Sequence, residues 1–147
     1  TFPLVGDSDD VLSHVHNVYV FQWGGRPEIF IADLGNPWNS PPVVGKGLVR
    51  FDRALGVYLT NTTVPRLNVR SATQQSDNTF FVLTQEPGIE NTKLALLEKD
   101  SEVLQLGAET ILPDRMGGDG GADVVNGRDT NTLWCTDRTD GPGKLYF

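Results

Sequence analysis

The feature that most constrains this chain is the shortness of its uninterrupted stretches. Short apolar runs give way repeatedly to glycine, proline or charged residues, and few segments longer than about ten residues lack both Gly and Pro. An amphipathic helix has little room to develop in such a pattern. "GLVRFDRALGVYLTN", "LALLEKDSEVLQLG" and "TLWCTDRTDGPGKLYF" each place an apolar run, a charged turn and a second apolar run in succession. That layout predicts β-hairpins. "VYVFQWGGRPEIFIAD" adds a fourth, with Gly24-Gly25 supplying the positive φ that a tight hairpin turn requires. One segment, "LALLEKDSEVLQL", is also rich in the helix formers Leu, Glu, Lys and Ala, but its Lys-Asp-Ser centre favours the hairpin.

Residues 1–147 therefore read as a single β-rich domain, long enough to bury one core. Sixteen glycines and nine prolines suit an all-β fold with many turns. The recurring hairpin units favour a β-trefoil-like arrangement, with a β-sandwich or barrel as the alternative. Two segments interrupt the strand pattern. "DLGNPWNSPPVVGKG" carries Pro37, Pro41, Pro42, Gly35, Gly45 and Gly47, and its composition argues against a central strand. "LPDRMGGDGGADVVNGRD" is similarly glycine-rich. Long loops in a small domain often carry function, so both are candidate site-bearing segments.

A formal net charge of −7 repels phosphate backbones and argues against nucleic acid as a partner. Cys135 stands alone, so no intrachain disulfide can form and the core itself must hold the fold. No apolar run approaches the roughly 20 residues of a membrane helix, and no signal-type segment opens the chain. The expectation is a soluble protein, cytoplasmic or secreted, with no membrane partner. Asn61-Thr62-Thr63 forms a glycosylation sequon, a pattern common by chance.

Both histidines fall in "SHVHNVYVFQWGG". On a regular strand His14 and His16 share one face with Val18 and could offer two ring nitrogens to a metal such as zinc. A third ligand must then come from carboxylates such as Asp7, Asp9 or Asp10, or from a distant Glu. The competing reading is two polar residues at the wetter end of a half-buried strand. Tyr19, Phe21 and Trp23 alternate on the face opposite the histidines and are expected in the core. A second cation candidate is calcium, held by Asp119 and Asp123 with Asn126 and Asp129 in the glycine-rich segment. One turn there resembles an RTX nonapeptide, but a single turn cannot stack. The chain contains neither a Gly-x-Ser-x-Gly elbow nor a phosphate-binding Gly-Lys-Ser/Thr loop.

Trp38 lies among Asn36, Pro37, Asn39 and Ser40 in a segment expected at the surface. Either it folds back to plug the core, or it stacks on the apolar face of a sugar while Asn36 and Asn39 bond the hydroxyls. The preferred functional expectation is a non-enzymatic, lectin-like recognition domain that binds a glycan through Trp38, Asn36 and Asn39. Two alternatives stand beside it: a metal-dependent hydrolase using the His-x-His pair, and an assembly or inhibitory protein that meets another protein surface through loops or strand edges.

Overall fold

The computed structural model describes residues 3–6, 11–86, 92–112, 123–129, 132–136 and 145–146. Among these the regular structure is entirely β. The first sheet contains β1 (Leu4–Val5), β2 (Val15–Trp23), β3 (Arg26–Asn36), β4 (Val43–Asp52) and β5 (Val57–Leu59), in the order β1-β5-β4-β3-β2. The second contains β6 (Thr63–Val64), β7 (Val69–Ser76), β8 (Thr79–Thr84), β9 (Lys93–Asp100) and β10 (Val103–Ile111), in the order β6-β10-β9-β8-β7. A third, three-stranded sheet follows: β11 (Val124–Asn126), β12 (Leu133–Thr136) and β13 (Leu145–Tyr146). No helix among the described residues is long and apolar enough to cross a membrane.

The two five-stranded sheets have the same topology. Each begins with a two-residue strand, continues through an antiparallel four-stranded meander, and pairs its last strand in parallel with its first. The three-fold layout of a trefoil is therefore not seen: the repeat is a five-stranded unit occurring twice, where the sequence had suggested recurring hairpins. Neither sheet closes into a barrel among the described residues.

All four expected hairpins form. β2 and β3 join through Gly24 and Gly25, at φ 60° and 78°, as a turn with positive φ at both central positions requires. β4–β5, β9–β10 and β12–β13 pair antiparallel as the apolar-turn-apolar pattern indicated, so residues 94–106 form a hairpin and not a helix. A further hairpin, β7–β8, turns at Asp77-Asn78.

The segment 33–47 differs from the expectation of a long loop. Asp33–Asn36 completes β3 and Val43–Gly47 opens β4, so both halves belong to strands in the middle of a sheet and only residues 37–42 form the turn. The glycines make this possible. A Cβ on Gly35 would overlap the Gly45 nitrogen and the Val43 carbonyl, and one on Gly45 would overlap the Asp33 carbonyl. Gly35 also sits at φ 68° beside a register shift, so the glycines permit a bulge and do not break the strands.

The inner faces of the two large sheets share one core. Phe21 and Phe30 from the first sheet meet Phe80 from the second, with ring centroids 5.5, 5.6 and 6.0 Å apart. Leu48, Val69, Val82, Ala95, Leu97 and Leu104 surround them, all fully buried. Trp23 closes this cluster between two cations, Arg50 at 4.9 Å and Lys99 at 4.6 Å from its ring centroid. A smaller cluster of Leu83, Val124 and Cys135 forms where β11 packs against β7 and β8.

The edges where the sheets meet are joined by side chains. The Gln74 amide spans from β7 to β2, accepting from Gln22 N and donating to Gln22 O, both at 2.7 Å. Tyr19 Oη accepts from Ala72 N at 3.0 Å. Between the two sheets at β4 and β6, the Thr63 hydroxyl accepts from Leu48 N at 2.9 Å and donates to Leu48 O at 3.0 Å. Backbone groups that an open edge would leave bare are thus satisfied without a continuous ladder.

Phe30 is fully buried at the meeting point of both sheets. Phe30→Ala is expected to destabilise the fold by about 3–5 kcal/mol, seen as a lower urea midpoint at unchanged slope. A loss below about 1 kcal/mol would contradict this placement.

Candidate functional site

The site begins with a buried carboxylate. Asp33, near the end of β3, is completely buried and accepts hydrogen bonds from the backbone N–H groups of Ser13, His14, Gly35 and Lys46. The shortest are His14 N at 2.8 Å and Lys46 N at 2.9 Å. One side chain thereby fixes the entry to β2, the bulge of β3 and the start of β4. This carboxylate meets the histidine segment through backbone and not through an imidazole, so its oxygens are committed to structure.

The histidines do not keep the regular alternation expected of them. Val15 pairs with Asp33 and Asn17 with Ala32, which leaves His16 as an extra residue on β2. This bulge reverses the parity of the strand. His16 and Asn17 consequently face the second sheet together with Tyr19, Phe21 and Trp23, while Val18 and Val20 point to solvent at 63% and 67% exposure. His14, just before the strand, stays exposed, and the two imidazole centroids lie 6.1 Å apart in an edge-on arrangement.

His16 Nδ1 donates to the Arg70 carbonyl at 2.8 Å, which assigns the Nδ1–H tautomer and leaves Nε2 as the ring acceptor. Asn17 Nδ2 donates to the same carbonyl at 3.1 Å. Burial holds the His16 pKa below its ordinary value of 6.5, and the Arg70 guanidinium pushes the same way; the bond to the Arg70 carbonyl and the charge of Asp123 oppose this without reversing it. Tyr19 is raised above its ordinary value, chiefly by burial, and Asp123 adds to the shift. Asp123 thus lies within electrostatic reach of both His16 and Tyr19.

The second sheet links this region to Trp38. Arg70, on β7, is buried, and its guanidinium lies 6.0 Å from the centroid of the Trp38 indole. Nη1 donates to Gln85 Oε1 at 3.4 Å. Trp38 stands on the β3–β4 turn and is 52% exposed, so it does not plug the core. Asn36 and Asn39 flank it, both exposed, with Asn39 N donating to the Asn36 carbonyl at 3.3 Å. The His16 segment and the Trp38 turn, separate candidates in sequence, therefore converge on one residue. Arg70 gives its carbonyl to the first and its guanidinium to the second. No sequence signal marked it, since a single arginine within "LNVRSA" has no distinguishing neighbours.

Among the described residues no group of three His, Cys, Asp or Glu side chains is placed to hold a metal ion. Asp7, Asp9, Asp10 and Asp119 lie outside the described residues. Asn126 donates its amide to the Gln74 carbonyl and so ties β11 to β7, and Asp129 Oδ1 accepts from the Thr132 hydroxyl at 3.2 Å within the β11–β12 connection. Asp123 lies apart from that connection, on the histidine side.

Comparison with known proteins returned no match: no family model, no curated protein and no solved structure corresponds to the chain.

Because the fold favours neutral His16, the folded chain takes up this proton at lower pH than the unfolded chain. The contribution to stability is fully present above pH 6.5 and is lost as the pH falls through the lower folded value. Thermal melts between pH 7.5 and 5.5 are expected to show a steeper loss of Tm on acidification for the wild type than for His16→Gln. Parallel profiles would remove His16 from this role.

Proposed function

We propose that the chain is a non-enzymatic recognition domain that binds carbohydrate at the β3–β4 turn, with Trp38 as the stacking surface and Asn36 and Asn39 as hydrogen-bonding flanks. The observation that carries this reading is a half-exposed indole held above a buried guanidinium. An aromatic ring with one side anchored and the rest open presents a rigid apolar surface at small entropic cost, as the apolar face of a pyranose requires. The exposed amides beside it supply donors and acceptors for hydroxyl groups. A second protein surface is the other ligand of this class, and the glycan is favoured because the flanking groups are neutral amides. On a glycan array the wild type is expected to bind, and Trp38→Ala to lose at least about tenfold in affinity with a stability change within about 1 kcal/mol. Absence of any glycan bound, or unchanged binding by the variant, overturns the reading.

A metal-dependent hydrolase is the second reading, favoured by one observation. His16 donates Nδ1–H to a backbone carbonyl, the arrangement that orients an imidazole whose Nε2 ligates a metal, and Asp123 acts on the same ring. Zinc would then be held by His14 and His16, with the third ligand supplied from outside the described residues, among which no such trio is placed. Elemental analysis of purified protein is expected to find stoichiometric metal on this reading, lost in the His14→Ala/His16→Ala variant. Metal-free protein that also takes up no added zinc eliminates it.

A further inference from the structure

At the end of β3 opposite the Trp38 turn lies a cavity of about 500 Å³, lined by Arg26, Glu28, Asp52, Arg53 and Ala54. Its volume is that of a small-molecule site. Glu28 is only 8% exposed, and its Oε2 has no hydrogen-bond partner among the described residues. A carboxylate removed from water and given no donor is costly, and native structures keep such groups chiefly where something else depends on them.

The neighbouring charges do not compensate it. Asp52 is already occupied: Oδ1 accepts from Ala54 N at 2.9 Å and Leu55 N at 3.0 Å, and Oδ2 accepts from Arg50 at 3.5 Å. Arg50 in turn donates to Glu102 at 2.9 Å and covers Trp23. Arg26 and Arg53 are exposed and make no ion pair among the described residues. The cavity is therefore lined by a largely buried carboxylate with no partner among the described residues and by two guanidiniums. A plain cation would be repelled by the arginines, and a plain anion by Glu28. A molecule carrying both charges complements this lining.

We propose that this cavity binds a small zwitterion of the α-amino-acid type, its ammonium on Glu28 and its carboxylate on Arg26 and Arg53. This site is independent of the carbohydrate reading. The test is titration of the full chain with each of the common free α-amino acids, followed by backbone amide NMR. At least one is expected to give saturable shifts at Glu28, Asp52 and Ala54. Its N-acetyl derivative, which lacks the ammonium, and its carboxamide, which lacks the carboxylate, are expected to bind at least about tenfold more weakly. Glu28→Gln and Arg53→Ala are each expected to lose at least about tenfold in affinity, while Trp38→Ala binds as the wild type does. Glu28→Gln removes a buried charge and is expected to melt at or above the wild-type temperature; Arg53→Ala, at an exposed position, tests the proposal even if Glu28→Gln does not fold. Absence of shifts with every amino acid, equal binding of both derivatives, or full affinity in Arg53→Ala overturns it.

Discussion

The Asp33 carboxylate is the interaction on which the placement of the histidine segment and the Trp38 turn depends. Fully buried, it collects backbone N–H groups from the lead into β2, from its own strand and from β4. An amide left without an acceptor where it is shielded from water, as at Gly35, costs about 1–3 kcal/mol. A carboxylate has enough lone pairs to accept these N–H groups together, whereas a hydroxyl or a single backbone carbonyl does not. The histidine segment enters its bulge at a fixed point and the Trp38 turn leaves β3 at a fixed angle because both are referred to the same two oxygens.

The amino-acid pattern made part of this legible and hid part of it for identifiable reasons. Hairpins at Gly24-Gly25, Lys99–Ser101 and Asp52–Gly56 were readable because apolar runs flank turn residues on both sides. The β7–β8 hairpin was not, since Gln74, Gln75, Ser76, Asp77 and Asn78 form one polar stretch in which strand ends and turn look alike. Counting prolines and glycines misjudged residues 33–47: the prolines do mark a turn, but the glycines serve close backbone contact within strands. The face assigned to the histidines relied on strict alternation, and one extra residue at position 16 reversed it. Glu28 reads in sequence as an outward charge between a turn and an apolar run. Only the pairing of Phe21 with Glu28 on the core side shows that its side chain points inward.

β3 organises the molecule's chemistry along its length. Its first residues carry Arg26 and Glu28 to one end of the sandwiched core, its middle supplies Phe30 and Ala32 to the interior, and its last residues present Asp33 and Asn36 at the other end. The burial of the middle keeps both ends rigid. The same inward alternation that packs Phe30 is continued by Glu28, a polar residue placed where an apolar one would have extended the core. This is a local violation of core chemistry in an otherwise consistent strand, the kind that marks a functional position.

The side-chain joints between the sheets have a mechanical consequence. Within each sheet the strands are locked by backbone ladders interrupted only at bulges, but across the seam the Gln74 amide, the Tyr19 and Thr63 hydroxyls and the His16–Arg70 contact act as separate pins. Each pin can disengage without unzipping a ladder and, at a net value of about 1 kcal/mol, at modest expense. The two sheets therefore behave as stiff plates riveted along their margins, and their softest motion is a small sliding of one plate on the other. Such sliding would open the ends of the interleaf space before it disturbed the aromatic centre.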